Sequence, residues 1–99
     1  MTASFSERVY TLLKRIPRGK VTTYEELAHQ LNSQAYRAVG TACKKNPNAP
    51  HVPCHRVITS SGALGGYAQG SARKKAMLIS EGIAITNNHI DLTHYAHRF

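Results

Sequence analysis

Acidic residues are scarce: five stand against thirteen lysines and arginines, and 13 − 5 leaves a formal net charge of +8 over 99 residues. Such an excess specifies no fold, but it favours an anionic partner and predicts salt-sensitive binding. Cysteine is sparse as well. Cys43 and Cys54 lie in different local surroundings, so no disulfide scaffold is built, and a reducing home, cytoplasmic or nuclear, is expected. No run of about 18 apolar residues is present, which excludes a membrane-spanning helix. The opening MTASFSERV lacks an apolar signal core, so secretion is not expected. Nothing repeats and no linker divides the chain. A single monomeric domain over residues 1–99 is therefore expected, long enough to hide about two-thirds of its unfolded surface in one core.

What is present reads mainly as helix. Phe5, Val9, Leu12, Leu13 and Ile16 recur at helical spacing behind Ser4 or Ser6 as N-cap, and Pro17-Arg18-Gly19 stops the helix. Thr22 and Thr23 each stand three residues before a glutamate, Glu25 and Glu26, which is capping-box spacing. A second helix then carries Leu27, Ala28 and Leu31 to a break at Asn32-Ser33. Ser33 is placed to cap a third helix with Ala35, Ala38, Val39, Ala42 and Cys43, ended at Asn46-Pro47. Two short helices across a tight polar turn form a helix-turn-helix. Val57-Ile58-Thr59 and Leu64-Gly65-Gly66-Tyr67 are expected to pair as a hairpin around Ser60-Ser61-Gly62. A fourth helix is expected over Ser71–Ser80 with Gly82 as its stop, followed by a short strand at Ile83-Ala84-Ile85. Residues 87–99 are polar and histidine-rich and read as a flexible tail. The expected class is α+β, mainly helical: a winged-helix-like helix-turn-helix DNA-binding domain with a short β-hairpin.

The third helix is unusual in composition. Ala35, Ala38, Gly40, Thr41 and Ala42 are small, while Arg37, Lys44 and Lys45 are cationic. Small side chains let a backbone approach a groove closely, and cations meet phosphates; a plain surface helix with a thin apolar stripe has the same composition. Pro53-Cys54-His55-Arg56-Val57 is the chemically suggestive stretch. A thiol is nucleophilic only as thiolate, so a reactive cysteine needs a base or a positive charge close by. His55 and Arg56 supply both types, although neighbours in sequence need not touch. Cys43 reads as a small packed residue and not as a second nucleophile. His89, His94 and His97, spaced by five and three, match no familiar zinc pattern, and no metal or cofactor is expected.

PCHRV, then SSGALGGY, then a helix ending in EG resembles the signature of the O6-alkylguanine-DNA alkyltransferases. The resemblance extends upstream through PRGKVTTYEELA, RAVGTA and the asparagine of KNP, over roughly residues 5 to 82 in the right order. It is to the C-terminal catalytic domain of that family. It implies a single-turnover methylated-DNA–protein-cysteine methyltransferase that binds double-stranded DNA in the minor groove, flips O6-alkylguanine out and keeps the alkyl group. Cys54 matches the acceptor, His55 the histidine that deprotonates it through a water, and Glu81 the glutamate that orients His55. Tyr24 matches the tyrosine on the guanine ring, Arg37 the arginine that takes the flipped base's place, and Asn46 the hinge asparagine. Ala35, Ala38, Thr41, Lys44, Lys45 and Arg56 fall among the DNA contacts. Tyr67, Ala68 and Gln69 belong to the loop over the base, and the carbonyls of Cys54 and Val57 face the guanine amine.

Some positions depart from the family pattern. The helix-turn-helix turn, Asn32-Ser33-Gln34, lacks the usual glycine or proline. Gln69 replaces a smaller residue and narrows the expected base pocket, and Tyr36 puts a large side chain where the helix face is often small. Two rival functions share these features. An alkyltransferase-like protein binds alkylated guanine without chemistry and flags it for excision repair, but usually has tryptophan or another residue in place of the acceptor cysteine. A helix-turn-helix regulator leaves Cys54 and His55 without a task.

Overall fold

The computed structural model describes residues 4–47, 51–67 and 69–99. Helix α1, Phe5–Leu13, starts where Ser4 Oγ accepts from the Glu7 amide at 3.1 Å. Val9, Leu12 and Leu13 form its buried stripe, and Ile16 continues it past the helix end. Strand β1, Thr22–Thr23, leads straight into α2, Tyr24–Gln30. Thr23 closes the helix start by accepting from the Glu26 amide at 3.0 Å, which satisfies one orphan donor and leaves Tyr24 as the first helical residue.

The helix-turn-helix is α2, a turn, and α3, Tyr36–Lys44. No glycine is available to end α2, so Asn32 takes the left-handed backbone at φ 54°, a conformation asparagine tolerates better than most residues. The Asn32 and Ser33 amides then return to the carbonyls of His29 (3.0 Å) and Ala28 (2.9 Å), the Schellman arrangement. Gly82 serves α4, Ser71–Ser80, in the same way at φ 89°. Ser33 does not cap α3 as the sequence suggests. The helix begins later, with Ala35 at the cap position, and Ser33 Oγ accepts from the Ala35 amide at 2.9 Å.

The expected hairpin does not form. Strand β2, Val57–Ile58, pairs in parallel with β1, in register Thr22–Val57 and Thr23–Ile58. The chain does turn tightly after β2, with the Thr59 amide on Ala63 O at 3.0 Å, but Leu64–Tyr67 runs on as a loop. Local alternation could not reveal a partner 35 residues upstream. The ladder separates two cores: Val57 packs with α1, α2 and α3, and Ile58 with Val21, Leu64, Leu78, Ile83 and Ile90.

Ile83-Ala84-Ile85 is not a strand. Ile83 closes the α4 cap, its amide on Leu78 O at 3.2 Å, and is buried in the second core. Nor do residues 87–99 match a flexible tail. A short helix α5, Leu92–Tyr95, follows, and the chain then docks on Val21, just before β1: the Val21 amide donates to Tyr95 O (2.9 Å) and the His97 amide to Val21 O (2.7 Å). Ile90 is buried against the turn, its amide on Gly62 O at 2.9 Å. Gly62 has φ +91°, and a Cβ there would lie 2.7 Å from Ile90 O. Gly62→Ala therefore adds backbone strain to a clash with backbone and is expected to cost roughly 2–4 kcal/mol. Urea unfolding checks this; a loss under about 0.5 kcal/mol would contradict the packing described.

Candidate active site

A proline cannot continue a ladder, and Pro53 starts a 3₁₀ turn over Cys54–Arg56 that runs into β2. The turn fixes three consecutive side chains in three settings. Cys54 is buried and lines a cavity of about 300 Å³ together with Tyr24, Arg37, Thr59, Gly66 and Tyr67. Cys43, Gly40, Thr41 and Lys44 of α3 complete the wall on the helix side.

His55, the next residue, is buried, with Nε2 2.8 Å from Glu81 Oε2. Glu81 is the C-cap of α4, so the end of that helix delivers the carboxylate. An ionised carboxylate only accepts, so Nε2 carries the proton and Nδ1 is left as the basic nitrogen. Nδ1 is buried with no partner among the described residues. Arg56 grips the same carboxylate from the other side, Nε on Oε1 and Nη2 on Oε2, both at 2.9 Å, and Nη1 donates to Ile16 O at 2.7 Å. The sequence reading grouped Arg56 with the DNA contacts, but its guanidinium is taken up inside the protein, bracing Glu81.

Charge and burial set these protonation states. Burial holds His55 below its ordinary value, against the opposing pull of Glu81. Burial alone would push the Glu81 carboxyl up, but the hydrogen bonds from Arg56 and His55 and their charges outweigh it and hold the carboxyl down. Both groups bind fewer protons folded than unfolded. Their contribution to stability is therefore present above about pH 6.5 and lost as pH falls through the folded values. His97, held low by burial beside Arg15 and Lys20, adds in the same direction. Unfolding free energy from urea titrations is expected to fall steadily from pH 7 to pH 4. A flat profile over that range would contradict a buried neutral His55.

Tyr24 reaches the cavity from the first turn of α2. Burial, then the neighbouring Cys43, push its phenol up to about 12, so at neutral pH it is a hydrogen-bond donor; its Oη lies 3.5 Å from Gly66 O. Burial, then Cys54, push the Cys43 thiol to about 12 as well, which keeps it protonated. Asn46, just past α3, donates from Nδ2 to Val52 O at 2.7 Å and so ties the end of that helix to the segment before Cys54.

The remaining sequence-named residues divide. Arg37, Thr41 and Lys44 face the cavity; Ala38 on α3 and Ala35 and Lys45 at its two caps are exposed but do not line it. Val57 O already accepts from Lys74 Nζ at 2.6 Å, leaving one lone pair for another donor. Tyr67 lines the cavity and packs edge-on to His55, ring centroids 6.4 Å apart. Gln69 is exposed and is not part of the wall, and Ala68 lies outside the described residues. Lys74 was missed because Arg73-Lys74-Lys75 looks like a solvated helix face.

With this geometry in place, the family model described as 6-O-methylguanine DNA methyltransferase, DNA binding domain, matches residues 4–83. The chain belongs to this family. The methylated-DNA–protein-cysteine methyltransferase of Sulfolobus acidocaldarius is 46% identical over 82 residues, covering 83% of this chain and 52% of that protein. The chain thus spans about half the length of the curated methyltransferases it matches. The crystal structure of Mycobacterium tuberculosis OGT in complex with DNA superposes with a TM-score of 0.77 at 46% identity, covering 82% of this chain and 51% of that one. S. pombe Atl1, in complex with damaged DNA containing O6-carboxymethylguanine, superposes with a TM-score of 0.85 at 33% identity, covering 100% of both chains. The alkyltransferase family and the α+β, mainly helical helix-turn-helix fold accord with the sequence reading. No described helix is long and apolar enough to cross a membrane.

Proposed function

We propose that the chain repairs O6-alkylguanine in duplex DNA by moving the alkyl group to Cys54, as the counterpart of the catalytic unit of its longer relatives. The observation that carries this reading is the cavity that Cys54 and Tyr24 share, with the next residue, His55, fixed by Glu81 at 2.8 Å. Nδ1 of His55 takes the Cys54 proton through a water. The thiolate attacks the alkyl carbon from the side opposite O6, the S–C bond forms as the C–O bond breaks, and guanine leaves. Tyr24, kept protonated by burial, donates to the departing base. The thioether is stable, so each molecule acts once.

The DNA side follows from α3. Arg37 occupies the space a flipped base leaves, which offsets part of the unstacking cost. Ala35, Ala38 and Thr41 keep the helix face low enough to enter the minor groove, while Lys44 and Lys45 meet phosphates. The +8 net charge fits binding without sequence readout. Asn46 holds α3 at a fixed distance from the acceptor turn. A duplex labelled on the O6-methyl group tests the assignment. Label on the Cys54 peptide, one per molecule, is expected; label remaining on the DNA or appearing on Cys43 contradicts it.

A second reading has its own support. Likeness to Atl1 over the full length of both chains favours a protein that recognises alkylated guanine and passes it to excision repair. In that case lesion binding is tight and no group moves to Cys54.

A further inference from the structure

Among the described residues Lys74 is the bulkiest side chain wholly withdrawn from solvent, at 0 % exposure, although lysine is almost never fully buried. Among the described residues no carboxylate pairs with it. Its Nζ instead donates to two backbone carbonyls, Val57 O at 2.6 Å and Gly66 O at 3.1 Å, and lies 5.9 Å from the centre of the Tyr24 ring. A methionine would fill similar volume without desolvating a charge, so core stability does not account for the lysine.

Its partners do. Val57 directly follows the 3₁₀ turn that carries Cys54, and Gly66 sits in the wall of the Cys54 cavity between Gly65 and Tyr67. Tyr24, beside the ammonium, is a third wall. We infer that Lys74 is a positioning residue for the base pocket: its ammonium latches the Gly65–Tyr67 loop to the start of β2, holding the cavity walls at the spacing a flipped purine needs. This rests on the transferase reading above, of which it names a further residue.

The titratable groups facing Lys74 come from several elements: Cys43 from α3, Cys54 and His55 from the 3₁₀ turn, and Tyr24 from α2. On its own helix, Lys75 is turned to Asn88 Oδ1 at 3.3 Å and Arg73 is exposed. Burial pushes the Lys74 ammonium down to about 8, and negative charge on Cys43 or Cys54 acts to keep its proton. Below pH 8 the latch is charged; above it, a neutral amine holds the two carbonyls more weakly. Stability moves oppositely. The folded value lies below the ordinary 10.5, so between pH 8 and 10.5 the unfolded chain binds the extra proton and this group's contribution rises. The Cys43 thiol, pushed from 9 to about 12, opposes that rise only above about pH 9.

Single-turnover methyl transfer from an O6-methylguanine duplex tests the latch in wild type and Lys74→Met between pH 6.5 and 9.5, with melting temperatures at each pH. The wild-type rate at saturating DNA is expected to descend above about pH 8 with no fall in melting temperature up to pH 9. Lys74→Met is expected to be at least tenfold slower at pH 7, without the descending limb, and with half-saturating DNA unchanged within twofold. A folded Lys74→Met with the wild-type rate and profile would overturn the inference. If that variant does not fold, the wild-type limb decides alone, its absence to pH 9.5 counting against the latch. Without DNA, the amide nitrogens of Ile58 and Tyr67, in the peptide units whose carbonyls Lys74 holds, are expected to titrate together near pH 8 by NMR. Silence of both amides overturns the latch. Amides that titrate in a protein that transfers no methyl group at any pH would instead sink the transferase reading and leave the latch standing.

Discussion

Cys54→Ala is expected to abolish alkyl transfer while leaving binding to lesion-containing duplex within about threefold of wild type. The cavity holds a second thiol, Cys43, but burial and its neighbour Cys54 push that thiol to about 12. Burial is the larger cause and persists when Cys54 is removed, so at pH 7 Cys43 stays a thiol and does not replace the lost nucleophile. The substitution removes one small buried side chain and no hydrogen bond of the His55–Glu81–Arg56 set, so the fold and the α3 face should survive. Methyl transfer followed by mass spectrometry, with a gel-shift titration beside it, reads both quantities. Transfer retained above about a hundredth of the wild-type rate would remove Cys54 from the acceptor role. Joint loss of binding and transfer would mean that the cysteine is a packing residue.

Glu81→Ala is expected to be the most destabilising single change in the site. Glu81 is shared by the buried His55 and the partly buried Arg56, taking three hydrogen bonds from them at 2.8–2.9 Å with its side chain only 7% exposed. Removing one side of a buried ion pair strands the other and costs roughly 3–5 kcal/mol. In a domain of this size that lowers the melting temperature by more than about 12 °C. Loss of the anchor also frees the His55 ring, so transfer by the folded fraction is expected to fall at least about 100-fold. Glu81→Gln separates the two effects: it keeps an acceptor and most of the stability, but loses the charge that supports a protonated His55 during the reaction. A Glu81→Ala melting temperature within about 3 °C of wild type would contradict the network.

How far the sequence could be read depended on the range of each interaction. Ser4, Thr23 and Gly82 act within one helical turn, so the starts of α1 and α2 and the end of α4 were legible from them. The hairpin failed because β2 finds β1 across 35 residues, a pairing that no local alternation encodes. The tail misled for the same reason: its polar composition hides Ile90, Tyr95 and Ala96, whose partners are Gly62 and Val21. At the site, Cys54 and His55 stood out as chemistry because of their types, and Glu81 because of the family spacing. Arg56 stands among the DNA contacts only through the family resemblance, and Lys74 is not singled out by sequence because Arg73-Lys74-Lys75 has the composition of a solvated helix face. Only the fold shows the carboxylate and the backbone carbonyls that take them inside.

Intact mass after incubation with a duplex containing a single O6-methylguanine tests the central claim most directly, with lesion binding measured on the same sample. The account predicts a gain of one methyl group per protein molecule, reached in a single turnover and never exceeded, with the methyl group on Cys54. Tight, lesion-selective binding with no change in mass would contradict it, and would place the chain with proteins that recognise alkylated guanine and leave its removal to others.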